Sequence, residues 1–550
     1  MTKTRHKSAA RLSVYDLNGR DGVPGAELAG FKAHNLIRMA AMGLPVPQGF
    51  VMGTDWCAAV REAAGSKLHL PDALQAGVRD LERVSGLGFG SPRRPLLVSV
   101  RSGAPVSMPG MMETVLNVGL NDASLTGLLR LTGDHRLAWD SYRRLIQAFA
   151  EIVAGVPAAP FEAALEATLR RTGSVVARQL DFRAMRDLAH ASLELYRDHT
   201  GRDFPQDPFE QLAAATEAVF ASWMSDKAVE YRRLNTLPDD LGTAVTVQRM
   251  VFGNAGGNSG AGVGFTRDPS TGENRLYIDW LQQAQGEDIV SGRRRVTAEN
   301  DVPVWLMQKL GQVGEALEKS FCDAQEFEFT VENGELFMLQ TRTAKRTALA
   351  SLRMAVDQVD SGLITVDEAL DRLSGIDLDA ITIRRVESAA PPLAHAIPAG
   401  IGVAQGPAAF SVRAAQAFAA RGTSAILIRN DVATSDIAGI AVVGGVLTAS
   451  GGRTSHAAVV ARQMGKVCLV GCTDLVVDEP ANRARLGDAV LNEGDPVCLD
   501  GDTGAVYADA PAITSERPRR LAGPRAGLAG RCHGGIKRQY KKILLSIIVT

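Results

Sequence analysis

The sequence predicts a multidomain α/β chain of the α+β kind, and three observations carry that reading. Its 550 residues are enough for roughly three or four domains. A hydrophobic content of 45% with 22% charged residues describes a globular protein with ample chain for a core. The hydrophobic period switches repeatedly between short strands and amphipathic helices, and a Pro/Ala run, Glu387–Pro398, parts two such regions. The expected division is a first domain over 1–345, with a helical insertion at about 122–240. A helical segment and linker follow over 346–398, then a second β/α domain over 399–510 and an irregular basic tail over 511–550.

Composition also excludes. A net charge of −1 argues against nucleic acid or a membrane as a global partner. The six cysteines (Cys57, Cys322, Cys468, Cys472, Cys498, Cys532) show no CxxC spacing. Reduced thiols in a cytoplasm are expected, not disulfides or zinc. Met1–Ser13 is basic without the apolar run of a signal peptide. The apolar end-piece Ile543–Val549 falls far short of the ~20 residues that a membrane span needs.

Taken in order, Gly30-Phe31-Lys32-Ala33-His34-Asn35-Leu36 reads as helix, and Gly43–Phe50 as a turn into a strand. A lysine at a helix start beside glycine suits a phosphate contact, though Lys32 taken alone is a solvated surface lysine. Leu96–Ala104 is a buried-type strand. It delivers Arg101 to a loop, as enzymes present a planar cation to phosphate oxygens. The Met-rich turn Ser107–Thr114 reads as adaptable packing. Thr243–Phe252 alternates as a strand, a loop with six glycines follows (253, 256, 257, 260, 262, 264), and Val263–Arg267 returns. Such a loop lets backbone N–H groups approach phosphates; a plain flexible loop has the same composition.

Glu326–Arg342 reads as a hairpin around Asn333-Gly334. A three-residue loop with a glycine bulge at Gly334 would put Glu326, Glu328, Gln340 and Arg342 on one face. A two-residue loop would turn Glu328 away from Gln340. The bulged register is the expectation, because oxygen ligands beside an arginine suit Mg²⁺ bridging nucleotide phosphates. Residues 346–386 read as helical, and twelve extended residues from Glu387 would span roughly 40 Å.

In the second domain, Gly451-Gly452-Arg453-Thr454-Ser455-His456 permits a tight turn into the helix Ala457–Arg462, with Thr454 or Ser455 as N-cap. His456 then lies in the first helical turn, where free N–H groups favour an added anion, and Arg462 adds a cation. A lone Ser-His would be a capping histidine without chemistry; the whole run, however, resembles the phosphohistidine signature of enzymes that use or make phosphoenolpyruvate, which implies that His456 is a phosphoryl carrier.

Together these stretches resemble the pyruvate phosphate dikinase family over about residues 15–510. Leu96–Asp122, Thr243–Gly292, the hairpin end Met338–Arg342 and the His456 run stand in that family's order. The resemblance implies an ATP-grasp nucleotide-binding domain with a helical insertion, followed by a swivelling phosphohistidine β/α domain. It implies ATP and Mg²⁺ as cofactors, with Lys32 and Arg101 on the ATP phosphates. Asp279, Glu328 and Gln340 would lie at metal and nucleotide, Glu328 and Gln340 as the metal ligands. Arg342 would meet the transferring phosphates, Gln248 and Met250 would line the adenine, and Gly260 and Gly262 would approach the nucleotide. Thr454 matches a threonine that a regulatory kinase modifies in some members.

The 40 residues after Ala510 are fewer than the about 250 of a (β/α)-barrel. The expected function is therefore an ATP-dependent phosphotransferase half-enzyme that passes the ATP β-phosphoryl group, via pyrophosphoryl, to His456 with AMP release. Its expected partners are ATP, AMP, phosphate and a separate phosphoenolpyruvate/pyruvate barrel chain, in a homo-oligomer. The alternative is a catalytically inactive ATP-binding or regulatory module. Transfer to another acceptor would need an acceptor domain that the sequence does not insert.

Overall fold

The computed structural model describes residues 12–516, apart from 21, 63–69, 107, 109–110, 287, 289–301, 377–382, 388–389, 433–435 and 453–454. No described helix is long and apolar enough to cross a membrane. The chain packs as two units, Met1–Ser259 with Thr330–Thr341, and Gly260–Phe329 with Arg342–Thr550.

The first unit is built on five antiparallel strands: β1 (Val14–Asp16), β2 (Gly49–Met52), β3 (Val98–Gly103), β4 (Thr114–Val118) and β5 (Ala244–Arg249). Their order across the sheet is β1-β2-β5-β3-β4. The Val/Leu-rich strands bury Val98, Val100, Val115, Val245 and Val247 against Leu128, Leu145, Ile146 and Phe220 of the helices. Burial of that apolar area holds the helices on the sheet. Residues 122–241 are helical as expected, in six α-helices from Asp122–Thr132 to Asp226–Leu234 with short 3₁₀ turns between. Local chemistry sets their ends: Asn121, Asp134, Asp181 and Asp207 cap N-termini with side-chain oxygens, and Gly133, Gly173 and Gly201 close C-termini. Inside this insertion Asp140 is buried, which by itself raises its pKa. The Arg144 and Arg143 guanidiniums outweigh that and hold the pKa at about 2.

Helix α1 (Ala26–Ala41) contains a break. Gly30 has φ 74 and ψ 154, so the helical run proper restarts at Phe31. A Cβ at Gly30 would stand 1.8 Å from the Gly103 carbonyl oxygen, and the Phe31 N–H donates to the Ala104 carbonyl at 2.8 Å. Only glycine fits that approach.

A four-stranded sheet holds β6 (Gly260–Phe265), β7 (Tyr277–Gln282), β8 (Gln325–Glu332) and β9 (Glu335–Thr343), in the order β9-β8-β6-β7. The return strand thus begins at Gly260, earlier than the sequence suggested, and the glycine loop runs over 250–259. Gly260, Gly262 and Gly264 lie inside a central strand because aromatic rings occupy the space of their missing side chains. Ideal Cβ atoms there would stand 2.2 Å from Trp280, 2.1 Å from Phe329 and 2.3 Å from Phe327.

The expected bulge at Gly334 is not formed. Strands β8 and β9 end and begin on either side of Asn333-Gly334, with φ 51 and 83. This is a two-residue turn of the mirror-image type, whose twist matches the strands and which Asn-Gly favours. Carried on unchanged, that register would turn both Gln340 and Arg342 away from Glu326 and Glu328, but the pairing slips by one residue further along the ribbon: the Ala344 N–H donates to the Ala324 carbonyl at 2.9 Å and Arg342 meets Glu326. Alternating burial along β9 breaks where Gln340 and Thr341 are both buried.

Two helices, Ala348–Asp360 and Val366–Leu373, follow; the helical expectation fails at 383–386, which lie in strand β10 (Ile383–Glu387). The linker is also shorter than expected. Ala394–His395 and Ile397–Gly400 are edge strands of an eight-stranded sheet, so the extended stretch from Glu387 to Pro398 is largely absorbed into it. Within that sheet β11 (Val403–Ala409), β12 (Ile426–Arg429), β13 (Gly445–Thr448) and β14 (Val467–Val470) run parallel. The last described strand, β15 (Ala512–Glu516), pairs antiparallel with β10. The expected irregular tail is therefore ordered over 512–516, and the basic run at 537–542 lies outside the described residues.

Candidate functional site

Arg101 is the fourth residue of β3 and pairs with Thr246 of β5 and Thr114 of β4. Lys32 stands in the first turn after the Gly30 break, and its Cβ lies 3.7 Å from an ideal Cβ on Gly103. Since Arg101 and Gly103 are two apart on one strand, they share a face. The structure thus brings Lys32 and Arg101 to the same face at one end of β3, on a backbone that the Phe31–Ala104 hydrogen bond fixes.

The strip beside them is more constrained than the sequence suggested. Gln248 is buried, pairs with Gly49, and its amide donates to the Pro47 carbonyl at 3.1 Å. The Met250 N–H donates to Leu97 at 2.8 Å. Arg249 reaches Gln48 Oε1 at 3.1 Å and Glu332 Oε2 at 3.5 Å. Sequence reasoning missed Glu332, a strand-end glutamate that reads as solvated.

In the second unit Arg342 Nη2 donates to Glu326 Oε1 at 2.5 Å. Burial would lower the Arg342 pKa, but Glu326 foremost, with Glu328, raises it, so the guanidinium is held charged. Arg342 and Glu326 thus meet on one face, as expected. Buried Asp279 accepts the Tyr277 hydroxyl at 3.0 Å. Gly260 and Gly262 differ from the open phosphate-binding loop expected of them: β6 pairs on both sides, with Gly260 opposite Gln282 and Gly262 opposite Trp280. Among the described residues no group of three or more His, Cys, Asp and Glu is arranged to hold a metal ion. Mg²⁺ at nucleotide sites takes one or two carboxylates plus phosphate oxygens, so Glu326 and Glu328 beside a charged arginine fit that mode.

The helix α2 (His456–Gln463) follows the carboxyl edge of β13. Ser455 is its N-cap, its side chain accepting from the Ala458 N–H, which decides between the two candidate caps. His456 is the first helical residue, as expected; its side chain, and Thr454 altogether, lie outside the described residues. Gly451, at φ 100, makes the turn. Arg462 differs from expectation. It is buried, its Nε donates to the Ala399 carbonyl at 3.2 Å, and its guanidinium carbon lies 5.7 Å from the Phe265 ring centroid. Six residues on, it is roughly 9 Å along the axis from His456, an anchor for the helix and not a cation beside that residue. Cys468 and Cys472 are buried, and burial pushes the Cys468 thiol up to about 12, as packing cysteines require.

Residues 60–304 match the family model described as pyruvate phosphate dikinase, AMP/ATP-binding domain, and 422–504 match that of the PEP-utilising enzyme, mobile domain. The chain is 43% identical over 491 residues to the pyruvate, phosphate dikinase of Clostridium symbiosum, covering 87% of this chain and 56% of that protein. Against the enzyme of that name from Giardia intestinalis it is 41% identical over 505 residues, covering 89% and 57%. Against pyruvate, phosphate dikinase 2 of Zea mays the figures are 42% over 491 residues, 87% and 55%. The chain spans just over half the length of these curated relatives. Over the two matched regions it belongs to the pyruvate phosphate dikinase family.

Proposed function

We propose that this chain is an ATP-dependent phosphotransferase that charges its own histidine. An imidazole nitrogen of His456 attacks the β-phosphorus of ATP, forming an N–P bond as the bond to the α–β bridging oxygen breaks, and AMP leaves. Inorganic phosphate then takes the terminal phosphoryl group from the pyrophosphoryl-histidine, releasing pyrophosphate and leaving phosphohistidine. The observation that carries this reading is His456 at the first position of a Ser455-capped helix, where unpaired N–H groups and the helix dipole accept an added anion.

Lys32, Arg101 and Arg342 act by placing fixed charge where phosphate charge develops. Glu328 and Gln340, with the Glu326 carboxylate on the same strand as Glu328, are the oxygen ligands for Mg²⁺, which when bound would neutralise phosphate oxygens. Gln248 and Met250 border the adenine, and Asp279 and Gln340 are further nucleotide-side groups. The helix that starts at His456, anchored by Arg462, carries the phosphoryl group to an acceptor; pyruvate is the acceptor that the relatives' name suggests.

The test is incubation of the 550-residue chain with β-³²P-labelled ATP and Mg²⁺. An acid-labile, base-stable label that disappears in His456→Asn is expected. Equal labelling of His456→Asn overturns the assignment. Binding of ATP with neither label nor AMP–ATP exchange would favour a non-catalytic ATP-binding module.

A further inference from the structure

Glu332, which neither the motifs nor the reaction uses, ties together three parts of the nucleotide-binding unit. Its Oε1 accepts the Phe252 N–H at 2.9 Å, and its Oε2 faces Arg249 Nη2 at 3.5 Å. Arg249 is held from its other side by Gln48 Oε1 at 3.1 Å. The two residues after Glu332 bind the far end of the same loop. The Asn333 N–H donates to Ser259 Oγ at 2.9 Å, and the Gly334 N–H to the Asn258 carbonyl at 3.0 Å. Ser259 Oγ in turn donates to the Ala255 carbonyl.

These bonds grip the glycine loop at residue 252 and again at 258–259, on either side of its exposed glycines, Gly256 and Gly257. The grip needs the turn as observed. With a bulge at Gly334 the two amides would shift register against the loop. A carboxylate suits the position because one oxygen takes a backbone amide while the other meets an arginine. Glu332 is also mostly shielded from water, where such bonds are strong.

We propose that Glu332 and the Asn333-Gly334 turn form a latch that positions the 249–259 segment for nucleotide, making Glu332 a positioning residue for Mg-ATP binding. The inference rests on the assignment of Gln248–Val251 to the adenine. The latch sets affinity, not the chemical step, because none of its groups is assigned to the reacting phosphates.

The experiment measures Mg-ATP binding by calorimetry, and amide hydrogen exchange without nucleotide, for wild type, Glu332→Ala and Glu332→Gln in the 550-residue chain. Losing a hydrogen bond to a charged group should weaken binding about tenfold or more in Glu332→Ala. Glu332→Gln, which still accepts from Phe252, should recover to within about threefold. KM for ATP in the labelling reaction should rise in Glu332→Ala with kcat nearly unchanged. Amides at 252 and 333–334 should exchange faster in Glu332→Ala, while those of β3 do not change. Wild-type affinity in Glu332→Ala, or a kcat loss without a KM change, overturns the proposal. If the wild type binds no Mg-ATP, the adenine assignment falls, and with it the latch's role in binding. The exchange arm separates that failure from failure of the latch itself, which unchanged exchange at 252 and 333–334 overturns.

Discussion

Two candidate site residues, Lys32 and His456, are delivered the same way. Each follows a glycine of positive φ and sits in the first turn of a helical run. The two starts are held differently. At Gly30 the helix is pressed onto a strand of the main sheet, with the Gly103 carbonyl where a Cβ would be. At Gly451 the nearest described atoms to a Cβ would be Ser455 side-chain atoms at 3.1–3.2 Å and Thr448 Oγ1 at 3.9 Å, and the helix is capped by its own Ser455. The Lys32 start is part of the sheet; the His456 start is a local motif. The first keeps Lys32 in fixed relation to Arg101, and the second lets the His456 helix keep its shape within its own sheet.

The comparison is sharpest at Gly30. Gly30→Ala combines a forbidden conformation with a backbone clash, and should cost at least ~3 kcal/mol, read as loss of the first unit's melting transition. Melting like wild type would break the contrast. Arg101→Ala comes next. Losing a charge-assisted contact of ~1.5–3 kcal/mol should cut the labelling rate by one to two decades with the fold intact by circular dichroism. An unchanged rate would make Arg101 a surface cation.

Gly451→Ala should be milder, ~1–2 kcal/mol, because its neighbours are side-chain atoms that can move. A Tm loss as large as that of Gly30→Ala would show both starts to be equally fixed. The smallest effect belongs to Ser455→Ala, about 1 kcal/mol for a lost cap. Denaturant melts should show it confined to the second unit, and Ser455→Asp should restore it.

The sequence by itself determined the local features. Apolar runs marked the strands that carry Arg101 and Gln248, the helical insertion followed from its period, and the Ser-His run put His456 at a helix start. These depend on side-chain period and on capping, which act within a few residues. Register, and what fills space, only the tertiary structure decided. Gly260 and Gly262 read as loop because a composition cannot show Trp280 and Phe329 lying over them. The hairpin admitted two registers one residue apart, and the two-residue turn was settled by the twist of the strands and by Asn258 and Ser259 receiving its amides. Arg462 read as a cation beside His456, yet the packing of its helix against Ala399 and Phe265 took it inside. Glu332 was invisible for the same reason: its partners lie 80 and 83 residues away in sequence, and only folding brings a carboxylate to so distant an amide.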